Sequence, residues 1–437
     1  MKIAEIENLL KEDKQFIFDE KYLLYKNKYE ERILSIINYA KNKFFDGDYH
    51  LVVSPGRSEI CGNHTDHQKG HIIAAALDID NIGLFKKNDL NKVRFFDDKF
   101  MERGEILEVD ITDLECKDEE ANTTKSLIRG IAYKIKNMGF SIGGFDIVCD
   151  SKVLMGSGIS SSACFENMIV EVFNYLYADE KIDEKERAKI SRFAENEFFK
   201  KPCGLMDQMS ISVGGLSLID FKTDEIKKYN FNFKDFGYQL LLVNTKSDHK
   251  DLSSEYATMP NEMKDVAKYF NKEYLSEVDE NDFYNNIKNI RDKVKNDRAI
   301  LRTIHYFEEE KRVLDLKKNI EDIIPLKNIK QIDLSIMIKR ILEIIKNSGN
   351  SSYKYLQNVY SENNVKEQSL SVALAISEKI LKNDGAYRVH GGGLSGTIQA
   401  IVPDYLLEEY ETKIKNIFGD DSILEINIRE YGTKTIL

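Results

Sequence analysis

Apolar positions along the chain recur with two periods, one helical and one of strand length. Within residues 1–45, Ile33, Ile36, Ile37 and Ala40 fall three and four apart among Lys and Glu, which predicts helix. The first strand-like run is HLVVS at 50–54, and Pro55-Gly56 is expected to end it. Further strands are predicted at 72–85 (IIAAALDIDNIGLF), 92–97 (KVRFFD) and 144–150 (GFDIVCD). Helices follow over 160–177 (SSSACFENMIVEVFNYLY) and 184–199, and strand character returns at 212–220 and 239–244. From about 253 to 320 the pattern is helical and so charged that it reads as a solvated face. Residues 333–383 are helical again, 385–402 form a glycine-rich turn running into apolar sequence, and 424–429 (LEINIR) looks like a strand. Strands and helices mixed without regular βαβα alternation predict the α+β class.

Composition narrows this picture. The 437 residues carry 63 Lys+Arg against 74 Asp+Glu, with 42% apolar and 31% charged positions, as in an ordinary soluble protein and unlike a disordered or fibrous one. The length predicts two or three domains, each with its own core. No run approaches the ~20 apolar residues of a membrane span, and the start, MKIAEIENLLKEDKQF, lacks the apolar core of a secretion signal. A net charge of −11 argues against general nucleic-acid binding, though not against a small anion held by backbone amides. Five scattered cysteines without a CxxC pair read as reduced thiols of a cytoplasmic protein. His64, His67 and His71 lie close together but lack the partner ligands of a metal site.

Candidate chemistry concentrates in three glycine- and serine-rich elements. PGRSEICGNHTDHQKG (55–70) crowds Arg57, Asn63, His64, Thr65, Asp66 and His67 into one loop, which is either functional or a turn with satisfied polar groups. GSGISSSA (156–163) opens the 160–177 helix. Its glycines admit an anion to the backbone amides, and its serines supply hydroxyls and a helix cap. It is neither a Walker A loop nor GxGxxG. GGGLSG (391–396) permits close backbone approach, or is only a tight turn. Between them, KPCGLMDQMS (201–210) sets Asp207 among methionines, and Glu195 upstream could share a cation with the serines. Together the four suggest phosphoryl transfer.

These motifs resemble those of the GHMP small-molecule kinases, and within them the galactokinase family. GRSEICGNHTDHQKG looks like the signature GRxNxxGEHTDYxxG, and GSGISSSA is similar to the ATP motif GxGLSSSA. PCGLMDQ nearly reproduces PCGIMDQ, HKDLSSEY (249–256) resembles HxLxSSEY, and HGGGLSGTIQAIV (390–402) looks like the third motif. RTIHYFEEEKRV (302–313) is similar to a helix of the same family. The matches run in family order from about 50 to 405.

The resemblance implies a two-lobed fold of mixed sheets and helices with the active site between the lobes. Its divisions would be a helical extension over 1–48, an N-terminal lobe over 49–235 and a C-terminal lobe over 236–437. Small-molecule sugar and ATP would be the partners. Gly156, Ser157, Gly158, Ile159, Ser160, Ser161 and Ser162 would wrap the ATP phosphates, and Ser162 and Glu195 would hold Mg²⁺. Asp207 would take the proton of the anomeric hydroxyl, with Arg57 beside it. Asn63, His64, Thr65, Asp66, Gly204 and Tyr256 would bind the sugar.

Departures from the pattern matter for substrate. Asn63 stands where galactokinases carry Glu, near the C6 end of the sugar, so a C6 carboxylate would no longer be repelled. Ser58-Glu59 replaces Val-Asn, and His67-Gln68 replaces Tyr-Asn, a form similar to plant galacturonokinases. The resemblance therefore implies a galactose 1-kinase, with a galacturonate or N-acetylgalactosamine 1-kinase as rivals. A non-catalytic sugar sensor is a different class, and the presence of Arg57, Ser162, Glu195 and Asp207 speaks against it.

Overall fold

The computed structural model describes residues 1–11, 26–44, 47–97, 105–153, 158–247, 252–329, 333–394 and 396–437. Its strands are β1 (His50–Cys61), β2 (His71–Lys87), β3 (Lys92–Phe96), β4 (Leu107–Asp110), β5 (Phe145–Ser151), β6 (Leu216–Asp220), β7 (Glu225–Tyr229), β8 (Tyr238–Asn244), β9 (Ala386–Val389), β10 (Thr397–Pro403), β11 (Ile423–Ile426) and β12 (Lys434–Thr435). The larger sheet runs β12-β1-β2-β5-β3-β4, with β6 on the first half of β2 and β7 on β6. The smaller is the antiparallel set β11-β8-β10-β9.

β1 is apolar at consecutive positions because both its faces are covered. Leu51 and Val53 pack under the helices Ile3–Lys11 and Lys26–Lys43 through Ile6, Leu10, Ile33, Ile36 and Ile37. Val52 points the other way, toward the helices Thr124–Asn137 and Ser161–Tyr177. Arg32 fixes the Lys26–Lys43 helix to the sheet by an ion pair to the buried Asp80, 2.7 Å away. The expected helical stretch 1–45 is thus two helices roofing the larger sheet, with 12–25 and 45–46 outside the described residues.

One prediction at β1 is corrected. Pro55-Gly56 does not end the strand. Pairing with β2 shifts between Pro55 and Arg57 and again between Glu59 and Cys61, so the chain bulges and continues. The Arg57 N–H turns to the Ile159 carbonyl, 3.3 Å away, instead of to β2. The expected loop 55–70 is reduced to residues 62–70, and Arg57 projects from a strand. Likewise, of the predicted strand 212–220, Ser212 and Val213 end the helix Met206–Val213 and only β6 is extended.

The helices Ser369–Leu381 and Leu407–Phe418 cover the smaller sheet. The helices Asp297–Ile323 and Ser335–Ser351 lie between the sheets, where Val313, Leu316, Ile320, Ile341 and Ile345 join Ile60 and Ile73 to Leu240, Leu242 and Ile401 in one core. The charged 253–320 stretch buries an inner face of its own, including Met259, Met263, Phe283 and Phe307. Position 235/236 falls between the strands of the two sheets, except that β12 returns to pair with β1.

Candidate active site

A cavity of about 1060 Å³ opens where β1, the start of the Ser161–Tyr177 helix, the 201–207 segment, the Ser253–Tyr269 helix and the 390–393 loop converge. At its base Arg57 grips Asp207 with a two-pronged fork, Nε to Oδ1 at 2.7 Å and Nη2 to Oδ2 at 2.8 Å. Asp207 sits in the first turn of the Met206–Val213 helix, where the backbone favours an anion. The Arg57 Nη1 donates to the Gly158 carbonyl. Burial pushes the Asp207 carboxyl up, but the adjacent Arg57 guanidinium overrides it, and with Ser160 and Lys201 holds it below the usual carboxylate range. The side chain is still 34% exposed to the cavity, so an acceptor can reach it.

Ser160 occupies the N-cap position of the following helix yet makes no capping bond. Its backbone is left-handed, with φ 63°, and its hydroxyl donates to Asp207 Oδ2. The expected cap is therefore absent, and the hydroxyl serves the carboxylate. Ser161 and Ser162 line the cavity beside Gly158. Ile159 is fully buried and meets Arg57 only through its carbonyl. Gly156 and Ser157 lie outside the described residues.

Glu195 was expected on a regular helix. It lies on a π-turn, Ala194–Phe198, whose extra residue rotates the carboxylate inward. Glu195 Oε1 accepts from the Ser162 hydroxyl at 3.1 Å and from the Lys201 ammonium at 3.0 Å. The Gln208 amide donates to Glu195 Oε2 at 2.7 Å and to Glu166 Oε2 at 3.2 Å. Burial, then the charge of Glu195, push the Glu166 carboxyl far above the usual carboxylate range. Burial opposes the Lys201 charge, but Glu195 and then Asp207 hold its pKa above the ordinary value.

On the opposite wall the turn after β1 is pinned from the Asp297–Ile323 helix. Glu309 accepts from the Gly62 N–H at 2.9 Å and His305 bonds the Asn63 carbonyl at 2.9 Å, which gives the 302–313 motif its task. Asn63 is 1% exposed and all its amide capacity is filled. It donates to Glu59 Oε2 at 3.1 Å and to the Gly391 carbonyl at 2.9 Å, and accepts from Ser352 and Asn358. Asn63 therefore shapes the wall with nothing left for a ligand. Thr65 is fully buried, bonding the Gly62 and His71 carbonyls, and is structural too.

Asp66, His64 and Tyr256 do face the cavity. Gly204 approaches Asp66 so closely that a Cβ there would lie 1.8 Å from Asp66 Oδ2, so any side chain at this position would displace the carboxylate. His64 bonds the Gly392 carbonyl at 3.3 Å, and the Tyr256 hydroxyl donates to the Gly393 carbonyl at 2.7 Å, so both brace the glycine loop. His249 falls outside the described residues. Burial, with repulsion from His67, pushes the His64 imidazole down to about 3. Glu59, Lys201 and His390 also line the cavity, and sequence reasoning gave them no role. Glu59 carried a signal, its departure from the signature; His390 had none, since its partner Ser58 is distant in sequence, and neither had Lys201, whose partner Glu195 is brought to it by a π-turn.

An anion-ready helix start, a guanidinium-held carboxylate and a polar sugar-sized pocket within one cavity are the parts of a small-molecule kinase. Residues 126–215 match the model of the GHMP kinases N terminal domain, and residues 42–87 that of the galactokinase galactose-binding signature. These two stretches carry the marks of the GHMP kinases and of the galactokinase signature, and most of the chain's length is similar to curated galactokinases. The galactokinase of Clostridium tetani is 28% identical over 88% of this chain and 92% of its own length. That of Clostridium acetobutylicum is 29% identical over 92% and 100%. The fold is similar to Lactococcus lactis galactokinase complexed with galactose, with TM-score 0.77 and 20% identity over 92% of this chain and 99% of that one. The Methanococcus jannaschii mevalonate kinase follows with TM-score 0.59 and 15% identity over 88% and 99%. No helix among the described residues is long and apolar enough to cross a membrane.

Proposed function

We propose that this chain transfers the terminal phosphoryl group of ATP to the anomeric hydroxyl of D-galactose, giving galactose 1-phosphate and ADP. The observation that supports it most is the Arg57–Asp207 fork, standing between the Ser160–Ser162 helix start and the Asp66–Gly204 pair in one cavity. Asp207 is ionised and keeps a lone-pair direction free on Oδ1, so it takes the proton as the sugar oxygen attacks. Such help is worth ~10²–10⁴-fold, and the rest falls to positioning and charge stabilisation. Arg57 orients the carboxylate and offsets charge on the transferring group. Backbone amides opening the Ser161–Tyr177 helix receive phosphate oxygens.

The donor set fits Mg²⁺. Ser162 Oγ and the Glu195 carboxylate are hard oxygens, and Glu166 Oε1 and Gln208 Oε1 lie buried behind them without partners. Ser162 and Glu195 would hold the ion there, and it would supply positive charge to offset that of the phosphates. Asp66 accepts from sugar hydroxyls, and His64 and Tyr256 close the pocket against the glycine loop. Glu59 keeps a carboxylate in this wall, which favours a C6 hydroxyl over a C6 carboxylate. Five free thiols suit the cytoplasm.

The test is ADP release with Mg-ATP against galactose, galacturonate, N-acetylgalactosamine and glucose, with Asp207→Asn as control. Turnover of galactose lost in the variant supports the reading. Preference for galacturonate or N-acetylgalactosamine replaces the substrate, and sugar binding without ADP release by the native protein points to a sensor.

A further inference from the structure

Lys201 is held to residue 195 twice. Its N–H donates to the Glu195 carbonyl at 3.1 Å, and its ammonium lies 3.0 Å from Glu195 Oε1. The Lys201 side chain is 53% exposed whereas its partner is 3% exposed, so an ammonium open to solvent reaches a buried carboxylate. The oxygen it meets is also the one that accepts from the Ser162 hydroxyl, at 3.1 Å. That hydroxyl stands in the first turn of the Ser161–Tyr177 helix, and Lys201, Ser162 and Asp207 line one cavity.

Two cations converge on this oxygen in turn. A divalent ion bound by Ser162 and Glu195 would stand close to the ammonium, and the two like charges would repel. The ammonium then moves, and four rotatable bonds let it. Once Glu195 is neutralised, the nearest uncompensated negative charge is the terminal phosphate at the helix start. Lysine binds phosphate as a point charge with three donors.

We propose that Lys201 is a phosphate-binding cation of the phosphoryl-transfer site, resting on Glu195 in the free protein and exchanging it for the terminal phosphate when the metal nucleotide enters. It moves no proton and makes no bond to phosphorus. This assignment rests on the kinase reading above, and the experiment is read without sugar so that the two stand or fall separately.

Lys201→Met and Lys201→Arg are compared with the native protein, with thermal melting to confirm folding. Mn²⁺ binding without nucleotide, followed by electron paramagnetic resonance, should be at least threefold tighter in Lys201→Met, because the competing ammonium is gone. Calorimetry with the β,γ-imido analogue of Mg-ATP and with Mg-ADP should show the preference for the triphosphate falling about tenfold in Lys201→Met and restored in Lys201→Arg. Unchanged or weaker Mn²⁺ binding, or an unchanged triphosphate preference, would overturn the assignment. Absence of sugar turnover by the native protein would remove the substrate and leave these readings intact.

Discussion

The side-chain amide of Asn63 donates to Glu59 at 3.1 Å, and the two residues stand where the galactokinase signature carries Glu and Asn. The carboxylate and the amide have changed places. Read alone, Asn63 removes a negative charge from the sugar pocket. Read with Glu59, the charge stays in the same wall and is paired with the fully buried Arg388, reached from β9. The argument for a C6 carboxylate loses its footing.

The exchange predicts non-additive mutants. In Asn63→Glu two carboxylates oppose each other, and the Gly391 carbonyl loses its donor. A cost of about 2–4 kcal/mol in urea unfolding is expected, with sugar turnover falling and no gain for galacturonate. Glu59→Asn combined with Asn63→Glu should recover about 1–3 kcal/mol of that loss. Additive losses in the double variant would refute the pairing.

Gly204→Ala drives a methyl group into the Asp66 carboxylate. The sugar KM should rise about a hundredfold or more while Mg-ATP affinity stays within threefold, since a misplaced buried acceptor leaves sugar hydroxyls unpaired. Equal losses in both affinities would mean that the Asp66–Gly204 contact is not specific to the sugar side.

Asp207→Asn keeps the shape but leaves the Arg57 fork facing a neutral amide. A fall in kcat of ~10²–10⁴-fold with nearly unchanged nucleotide binding is expected. A loss of under tenfold would show that Asp207 only orients the acceptor.

Acid should destabilise the protein before its carboxylates titrate. His64, His305 and His390 are buried, and burial is the main cause lowering each pKa, so the unfolded chain takes protons that the native state refuses. Stability therefore rises with pH through the ordinary histidine range and falls on acidification below about 6.5, by up to ~1.4 kcal/mol per pH unit for each group. His50, also lowered by burial, adds to the three, whereas His71, raised by its bond to Glu310, and Glu59 and Glu166, raised by burial, work in the opposite direction and offset part of the effect. Urea midpoints at pH 7.5 and 5.5 measure the difference, and equal midpoints would contradict it.

What the sequence disclosed followed from locality. β8 and the first five residues of β1 were legible as short apolar runs, and the motif residues could be placed from their neighbours. The extension of β1 past Pro55-Gly56 was not, because the bulge is held by Ile159, a residue of another element. The Ser160 hydroxyl read as a helix cap until its left-handed backbone turned it to Asp207. Lys201 looked like one of two lysines before a proline, and only the π-turn at Glu195 gives it a partner.

β12, at the far end of the described chain, lies against β1, the strand from which Arg57 projects. On a ribosome β1 is made early and must wait for nearly all the rest before this neighbour arrives. Pairings between such distant segments close slowly, and an open apolar edge attracts wrong partners meanwhile. A chain interrupted anywhere between Asp207 and Lys434 would hold Arg57, Ser160 and Asp207 while the outer edge of Arg57's own strand still lacked its partner.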